Sequence, residues 1–250
     1  MNTGKTGRAQ EYPLLDQLNP PQRQAVTAAA PNLLVLAGAG SGKTRVLVHR
    51  MAWLMQEAGV PPSALLAVTF TNKAAREMRH RVETLLGTST QGMWLGTFHG
   101  LAHRLLRAHW RDAGLPQTFQ VIDSDDQTRL IRRALRELQL DEARWPPRQV
   151  QTFINGEKDE GRRAGQVEPG GDLWLKTQLR VYAHYEDLCQ RAGLVDFGEL
   201  LLRSHELWLR NPSLLAHYRQ RFRHLLVDEF QDTNAVQYAW LRLLSGGGCR

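Results

Sequence analysis

Residues 32–44 read Asn-Leu-Leu-Val-Leu-Ala-Gly-Ala-Gly-Ser-Gly-Lys-Thr, and this stretch decides the fold class that the chain predicts. Four apolar residues, 33–36, lead directly into a glycine-rich loop that ends in Gly-Lys-Thr. The apolar run predicts a strand buried on both faces, and the residues after the loop predict a helix that starts near Gly42. Because glycines let backbone N–H groups approach phosphate oxygens, this order of elements indicates a phosphate-binding loop.

The loop offers the groups that a nucleoside triphosphate and its metal ion require. Lys43 supplies a cation for the β- and γ-phosphates, and the Thr44 hydroxyl is a ligand for Mg²⁺. Ala37 stands where the usual pattern has its first glycine. The candidate phosphate-binding residues are Ala37, Gly38, Ala39, Gly40, Ser41, Gly42, Lys43 and Thr44.

Two further apolar runs repeat the order of strand, short loop and helix. The run 65–70 leads into a helix near Asn72, and the run 93–97 leads into a helix that reaches about Trp110. Three such units in succession predict an α/β fold with a parallel, doubly wound sheet flanked by helices.

Polar and aromatic side chains follow the second and third strands, where open α/β sheets place their ligands. These candidate nucleic-acid contacts are Phe70, Thr71, Asn72, Thr97, Phe98 and His99. An aromatic ring there can stack on a base while the polar groups bind phosphates. A core position for both Phe side chains, and a solvated face for the basic residues of the following helix, remain open alternatives.

A later apolar run, 224–227, ends in the adjacent carboxylates of Asp228 and Glu229. Beside a phosphate loop, Asp228 is expected to hold Mg²⁺ and Glu229 to deprotonate an attacking water. Lys43 and Asp228 are 185 residues apart, which leaves room for an insertion between the two halves of the nucleotide site.

The segment between them changes to long helical periods from about Arg111, which predicts an all-helical insertion. Within it, residues 155–171 are rich in Gly and charge and predict an exposed loop. Its basic residues are expected to be solvated, with contact to a nucleic-acid backbone as the alternative. These basic residues are Lys158, Arg162 and Arg163. A helix beginning at Asp196 is expected to bury an apolar stripe made of Leu200, Leu201, Leu202, Leu207 and Leu209.

The composition of the 250 residues favours a globular protein with an anionic partner. Lys and Arg number 32 against 25 Asp and Glu, which gives a net charge of +7. No apolar run approaches the roughly 20 residues of a membrane span, and two distant cysteines suggest a reducing, cytoplasmic compartment. We expect a disordered lead-in at 1–12, a nucleotide-binding domain at 13–110, a helical insertion at 111–212 and a return to the nucleotide-binding domain at 213–250.

Five ordered motifs together resemble superfamily 1 DNA helicases of the UvrD/Rep/PcrA type. They are the phosphate loop 37–44 and the segments 68–75, 96–99, 193–197 and 227–233. The resemblance implies a RecA-like first motor domain with a helical insertion and ATP and Mg²⁺ as cofactors. It also implies single-stranded or 3′-tailed duplex DNA as substrate, 3′→5′ unwinding, and DNA-repair proteins as partners.

The resemblance also assigns roles that local sequence leaves open. Gln22 forms a helix-capping pattern with Asn19, and in the family the matching glutamine reads adenine. Arg45 matches an arginine that packs on adenine, and Gln231 matches a residue that senses the γ-phosphate. The resemblance supports DNA contact for the six residues at the strand ends.

Relatives continue with a second RecA-like domain whose arginines stabilise the transferring phosphate. We therefore expect this chain to represent the front part of a helicase, to hydrolyse ATP slowly by itself and not to unwind DNA. Two alternatives remain open. One is a non-catalytic module that binds nucleotide or DNA, and the other is a phosphate-loop NTPase that does not act on nucleic acid.

Overall fold

The structure, a computed structural model, describes residues 13–246. The lead-in predicted at 1–12 and the last four residues of the chain lie outside the described residues. The helices are α1 Pro13–Asp16, α2 Pro20–Thr27, α3 Lys43–Gln56, α4 Asn72–Leu86, α5 Phe98–Ala108, α6 Ser124–Glu137, α7 Pro147–Asp159, α8 Leu173–Ala192, α9 Phe197–Arg210, α10 Pro212–Arg221 and α11 Ala235–Leu244. The strands are β1 Leu65–Thr69, β2 Trp94–Thr97, β3 Gln120–Val121, β4 Leu194–Val195 and β5 His224–Val227.

The main sheet has the strand order β2–β1–β5. Strands β1 and β5 run parallel, with Leu65 opposite His224 and Val68 opposite Val227. All five residues of β1 are buried, as expected for a strand covered on both faces. The parallel sheet flanked by helices is therefore confirmed.

The apolar run before the phosphate loop is not a strand, and this part of the prediction is wrong. Residues 33–36 are irregular, and Leu33, Leu34 and Leu36 are 49%, 67% and 84% exposed. A strand forms only where a neighbouring strand takes up its backbone N–H and C=O groups. Within the described residues, β1 pairs with β2 and with β5, and none of these three strands pairs with residues 33–36.

The described residues divide into two compact units. The first contains residues 13–95 together with His224–Asp228, and the second contains Gly96–Arg223 together with residues 229–246. The units group residues that contact one another, and such a grouping does not test domain limits. The limits expected near residues 110 and 212 therefore stay predictions.

The core of the first unit lies between its helices and its strands. Helix α3 packs on α4, and buried side chains from both cover β1. Among the contributors are Met51, Met78 and Val82, each 1% exposed or less. This packing fixes the helix that follows the phosphate loop.

The second unit is built from two packed groups of helices. In one, α5, α9 and α11 pack together around Phe98, Trp208 and Trp240, all buried. In the other, α6, α7 and α8 enclose a core that includes Tyr182 and Tyr185. The parallel pair β3–β4 departs from the all-helical expectation, because Gly193 lets β4 begin directly after α8.

Two details of the helical region differ from the sequence-based expectation. The predicted loop 155–171 is helical at its start, since α7 extends to Asp159, and a short 3₁₀ turn follows at Ala164–Gln166. Leu209 is 55% exposed and lies outside the apolar stripe of α9, whereas Leu200, Leu201, Leu202 and Leu207 are buried. Among the described residues, no helix has the length and apolar character needed to cross a membrane.

Candidate functional site

The phosphate loop turns sharply before α3, and one of its glycines makes the turn possible. Gly42 has a φ of +87°, and a Cβ placed on it would lie 2.9 Å from Gln22 Nε2. A residue with a side chain would therefore be strained in its backbone and would displace the Gln22 side chain. Ser41 Oγ donates a hydrogen bond to the Gly38 carbonyl at 2.6 Å, which closes the turn.

Lys43 is the first residue of α3, so its side chain starts at the positive end of the helix dipole. Its Nζ donates hydrogen bonds to the carbonyl oxygens of Ala37 at 3.1 Å and Gly38 at 3.4 Å. The ammonium group thus lies across the mouth of the loop that an anion would enter. Thr44 follows it and is half-buried.

Gln22 has the helix-capping role that the sequence left open for it, and it also contacts the phosphate loop. Its Oε1 accepts a hydrogen bond from the Asn19 backbone N–H, and its own N–H donates to Asn19 Oδ1, which completes a capping box. Its Nε2 donates to the Ser41 carbonyl at 3.0 Å. Gln22 is therefore in contact with the phosphate loop, and its reading of adenine stays a prediction.

Arg45 is exposed on the first turn of α3 and donates a hydrogen bond to Gln17 Oε1 at 3.1 Å. The contact places the guanidinium beside the segment between α1 and α2. Its packing on adenine stays a prediction.

Asp228 follows β5 and is buried. It belongs to the first unit, which also contains the phosphate loop. Its backbone N–H donates to the Val68 carbonyl at 2.9 Å, which extends the pairing of β5 with β1 by one residue. Thr69 Oγ1 donates to Asp228 Oδ2 at 3.3 Å. The carboxylate is thus oriented by the neighbouring strand, as a metal ligand requires.

Glu229 is the first residue of the second segment of the second unit, and its backbone conformation is unusual. Its φ of +46° and ψ of +48° lie in the left-handed region, where residues with a side chain are uncommon. Its Oε2 accepts a hydrogen bond from Gln231 Nε2 at 2.6 Å. Strained residues of this kind concentrate at functional sites, which agrees with a catalytic role for Glu229.

The residues predicted to contact nucleic acid after β1 begin α4. Thr71 is the N-cap, and its Oγ1 accepts a hydrogen bond from the Ala74 N–H at 3.1 Å. Thr71 and Asn72 are exposed, and Phe70 is half-buried. The hydrogen bond that caps α4 is enough to explain the position of the Thr71 hydroxyl. DNA contact therefore stays a prediction for these three residues.

The residues predicted to contact nucleic acid after β2 lie in the second unit. Thr97 Oγ1 caps α5 by accepting a hydrogen bond from the Gly100 N–H at 3.1 Å. Phe98 is 1% exposed and packs edge to face on Trp240, so it is a core residue in this structure and its DNA contact stays a prediction. His99 is half-buried, and burial lowers its pKa, which favours a neutral imidazole near pH 7.

Sequence reasoning missed an aromatic partner of His99. Phe197 is 54% exposed, and its ring centroid lies 5.8 Å from that of His99 in an edge-to-face arrangement. The available signal was a Phe directly after Asp196, the residue from which a helix was predicted to begin. The pair forms an aromatic surface that could accept a stacked base.

Sequence reasoning also missed a buried cluster of charges in the second unit. Lys158 Nζ lies 2.7 Å from Asp196 Oδ2 and 3.1 Å from Glu199 Oε2, and all three side chains are at most 6% exposed. Arg163 adds salt bridges to Glu199, Glu186 and Glu206. Neither Lys158 nor Arg163 is the solvated loop residue that the sequence predicted, because carboxylates from α8 and α9 surround them.

The charges in this cluster shift one another's protonation. Burial alone would lower the pKa of Lys158, but Asp196 and Glu199 outweigh it and raise that pKa above its usual value. Burial alone would raise the pKa of Glu199, but Lys158, Arg163 and Arg203 hold it well below its usual range. Lys158 and Glu199 therefore both stay ionised at neutral pH.

Residues 18–250 match the family model described as the UvrD/REP helicase N-terminal domain. The chain is 62% identical over 233 residues to DNA helicase II of Escherichia coli (strain K12), covering 93% of this chain and 32% of that protein. It is 54% identical to DNA helicase II of Haemophilus influenzae and 40% identical to the ATP-dependent DNA helicase PcrA of Bacillus subtilis. Both matches again cover 93% of this chain, and they cover 33% and 32% of those relatives. The chain therefore spans about a third of the length of the curated relatives it matches.

Proposed function

Because this chain belongs to the UvrD/REP helicase N-terminal domain family, we propose that it forms the ATP- and DNA-binding part of an ATP-dependent DNA helicase. The observation that carries the proposal is a Gly-Lys-Thr helix start in the same unit as a buried carboxylate at the end of a parallel strand. By resemblance to the family, we extend the proposal to 3′→5′ movement on DNA in repair. DNA-repair proteins as partners and a cytoplasmic location belong to the same proposal.

Lys43 binds the β- and γ-phosphates of ATP in this proposal. Its ammonium now contacts two carbonyl oxygens at the loop mouth, and phosphate oxygens would replace weaker acceptors there. Gln22 and Arg45 lie beside the loop and contact the adenine.

Thr44 and Asp228 hold Mg²⁺, since a hydroxyl and a carboxylate are the hard oxygen ligands that this ion prefers. When bound, Mg²⁺ neutralises charge on the phosphates. Glu229 takes the proton from the attacking water, and Gln231 holds the Glu229 carboxylate through the hydrogen bond between them.

Replacing Lys43 by Ala will weaken Mg·ATP binding by about 10- to 150-fold, because a hydrogen bond to a charged group contributes about 1.5–3 kcal/mol. Titration calorimetry with a non-hydrolysable ATP analogue measures the effect. Lys176→Ala removes an exposed lysine from α8 and serves as the control with unchanged affinity. Equal ATP affinity in Lys43→Ala and the unmodified chain would overturn the assignment of the nucleotide site.

The DNA side of the proposal rests on the exposed ring of Phe197 beside the half-buried His99 and on the positive net charge. A single strand can stack a base on Phe197 while basic residues contact its phosphates. Part of the affinity then comes from the release of counterions, so binding weakens as salt rises.

Replacing Phe197 by Ala will weaken binding of a single-stranded oligonucleotide by about 5- to 150-fold, since base stacking on an aromatic side chain contributes about 1–3 kcal/mol. Fluorescence anisotropy at two salt concentrations measures it. Leu209→Ala truncates an equally exposed apolar residue at the other end of α9 and should bind normally. If both variants bind DNA like the unmodified chain, Phe197 is not part of the DNA site.

A second candidate function is nucleotide and DNA binding without useful turnover. It is favoured by the exposed run 33–36, because the phosphate loop is not anchored to the sheet through a strand. DNA-stimulated ATP hydrolysis by the purified chain would support the motor function. Salt-sensitive DNA binding that responds to Mg·ATP, without hydrolysis, would support the second candidate.

A further inference from the structure

The last turn of α7 ends in two neighbouring charged residues that bind the starts of two different helices. Lys158 forms a salt bridge with Asp196, which is the N-cap of α9. Asp159 Oδ1 accepts a hydrogen bond at 2.9 Å from Nδ2 of Asn234, which is the N-cap of α11. Adjacent residues of one helix therefore hold the first turns of α9 and α11 together.

The joint between α7 and α9 is tight and buried. Asp196 Oδ1 accepts the Glu199 N–H that begins α9, while its Oδ2 binds Lys158 and the Tyr185 hydroxyl, the latter at 2.7 Å. A Cβ added to Gly198 would lie 3.2 Å from the Lys158 side chain. Such close packing leaves this joint little freedom to shift.

The joint between α7 and α11 is of a different kind. Asn234 uses its oxygen to accept the Gln237 N–H of α11, and only its Nδ2 group reaches Asp159. Asp159 is exposed, so the contact is a single hydrogen bond at the surface. It can therefore be removed without emptying part of the core.

Each of the two helix starts carries residues of the proposed function. The first residue of α9 is Phe197, which pairs with His99. The segment before α11 carries Glu229 and is hydrogen-bonded along its length. The Asp232 N–H donates to the Glu229 carbonyl at 2.9 Å, and Thr233 Oγ1 donates to the Phe230 carbonyl at 2.9 Å. A shift of the first turn of α11 would therefore be transmitted to Glu229.

We propose that Asp159 and Asn234 are positioning residues that couple DNA binding at the His99–Phe197 pair to the orientation of Glu229. Neither residue contacts the nucleotide or the DNA in this proposal. The end of α7 connects the two helix starts. When bound DNA displaces the start of α9, the displacement passes through the salt bridge of Lys158 to α7, and from the neighbouring Asp159 through its hydrogen bond to the start of α11. The inference rests on the proposed function, because it needs a DNA site and a hydrolytic site.

The test measures ATP hydrolysis by the full chain at saturating ATP, with and without a saturating single-stranded oligonucleotide. Asp159→Ala should lower the stimulation of kcat by DNA by about 2- to 30-fold, the range found for residues that transmit coupling. The KM for ATP and the Kd for DNA should change less than about twofold. Asn234→Ser keeps a capping oxygen for α11 but loses the Nδ2 donor, so it should show the same loss.

Two further variants distinguish loss of the Asp159–Asn234 hydrogen bond from loss of a surface charge and from misfolding of the chain. Glu160→Ala removes the neighbouring exposed carboxylate and should keep full stimulation. Asp159→Asn keeps an oxygen that can accept the Asn234 hydrogen bond, so it should retain the stimulation of hydrolysis by DNA. Normal stimulation in Asp159→Ala, an equal loss in Glu160→Ala, or no rescue by Asp159→Asn would each overturn the inference alone. Absence of stimulation in the unmodified chain would favour the second candidate function, binding without turnover, and would overturn the inference.

Discussion

Replacing Glu229 by Gln will lower ATP hydrolysis by about 10²- to 10⁴-fold, the usual contribution of a general base. Mg·ATP binding should remain, because the groups proposed to hold phosphates and metal are Lys43, Thr44 and Asp228. The loss arises because the amide of Gln cannot accept the proton of the attacking water. Single-turnover hydrolysis and analogue binding, measured on the same protein preparation, separate the chemical step from affinity.

The structure gives reasons to choose Glu229 over other carboxylates near it. Glu229 is held in a left-handed backbone conformation, and Gln231 donates a short hydrogen bond to its carboxylate. Asp232 is exposed three residues later, and Asp232→Asn is the matched control that should retain hydrolysis. An equal loss in both variants, or normal turnover in Glu229→Gln, would refute the role of Glu229 as the base.

Replacing Lys158 by Met will destabilise the second unit by about 3–5 kcal/mol, because it leaves buried carboxylates without their cation. Asp196 and Glu199 lie within 3.1 Å of the Lys158 ammonium and are almost fully buried. Denaturant unfolding followed by tryptophan fluorescence measures the free energy of unfolding, since Trp208 and Trp240 are buried in the same unit.

The pH dependence of this deficit identifies its electrostatic origin. The folded-state pKa of Glu199 is depressed below its usual 4.5, so its contribution to stability is present above that pH and is lost as pH falls below it. The difference between Lys158→Met and the unmodified chain should therefore shrink as pH falls from about 6 towards 3. Lys176→Met, at an exposed position, should be neutral throughout. A deficit that is independent of pH would instead indicate lost packing.

The pattern of elements around the nucleotide and strand-end motifs was predictable because short-range rules govern it. Glycine spacing predicts the turn before α3, and Asn19 with Gln22 predicts the capping box that the structure contains. Alternation of apolar runs with helical periods predicts a parallel sheet, and the structure has β1 parallel to β5. Each of these signals lies within a few residues of the element that it specifies, and the family resemblance rests on the same local motifs.

What the sequence determined by itself was therefore the alternation of strands and helices around the motifs and the chemistry available at the ends of those elements. The tertiary structure alone decided which of those groups are used. It exposed the run 33–36 because a strand needs a partner, and it buried Phe98 while leaving Phe197 at the surface. It also placed Lys158, which the sequence predicted to be a solvated loop residue, between the buried carboxylates of Asp196 and Glu199. These outcomes depend on contacts between residues far apart in the chain, and burial and pairing are properties that no local pattern contains.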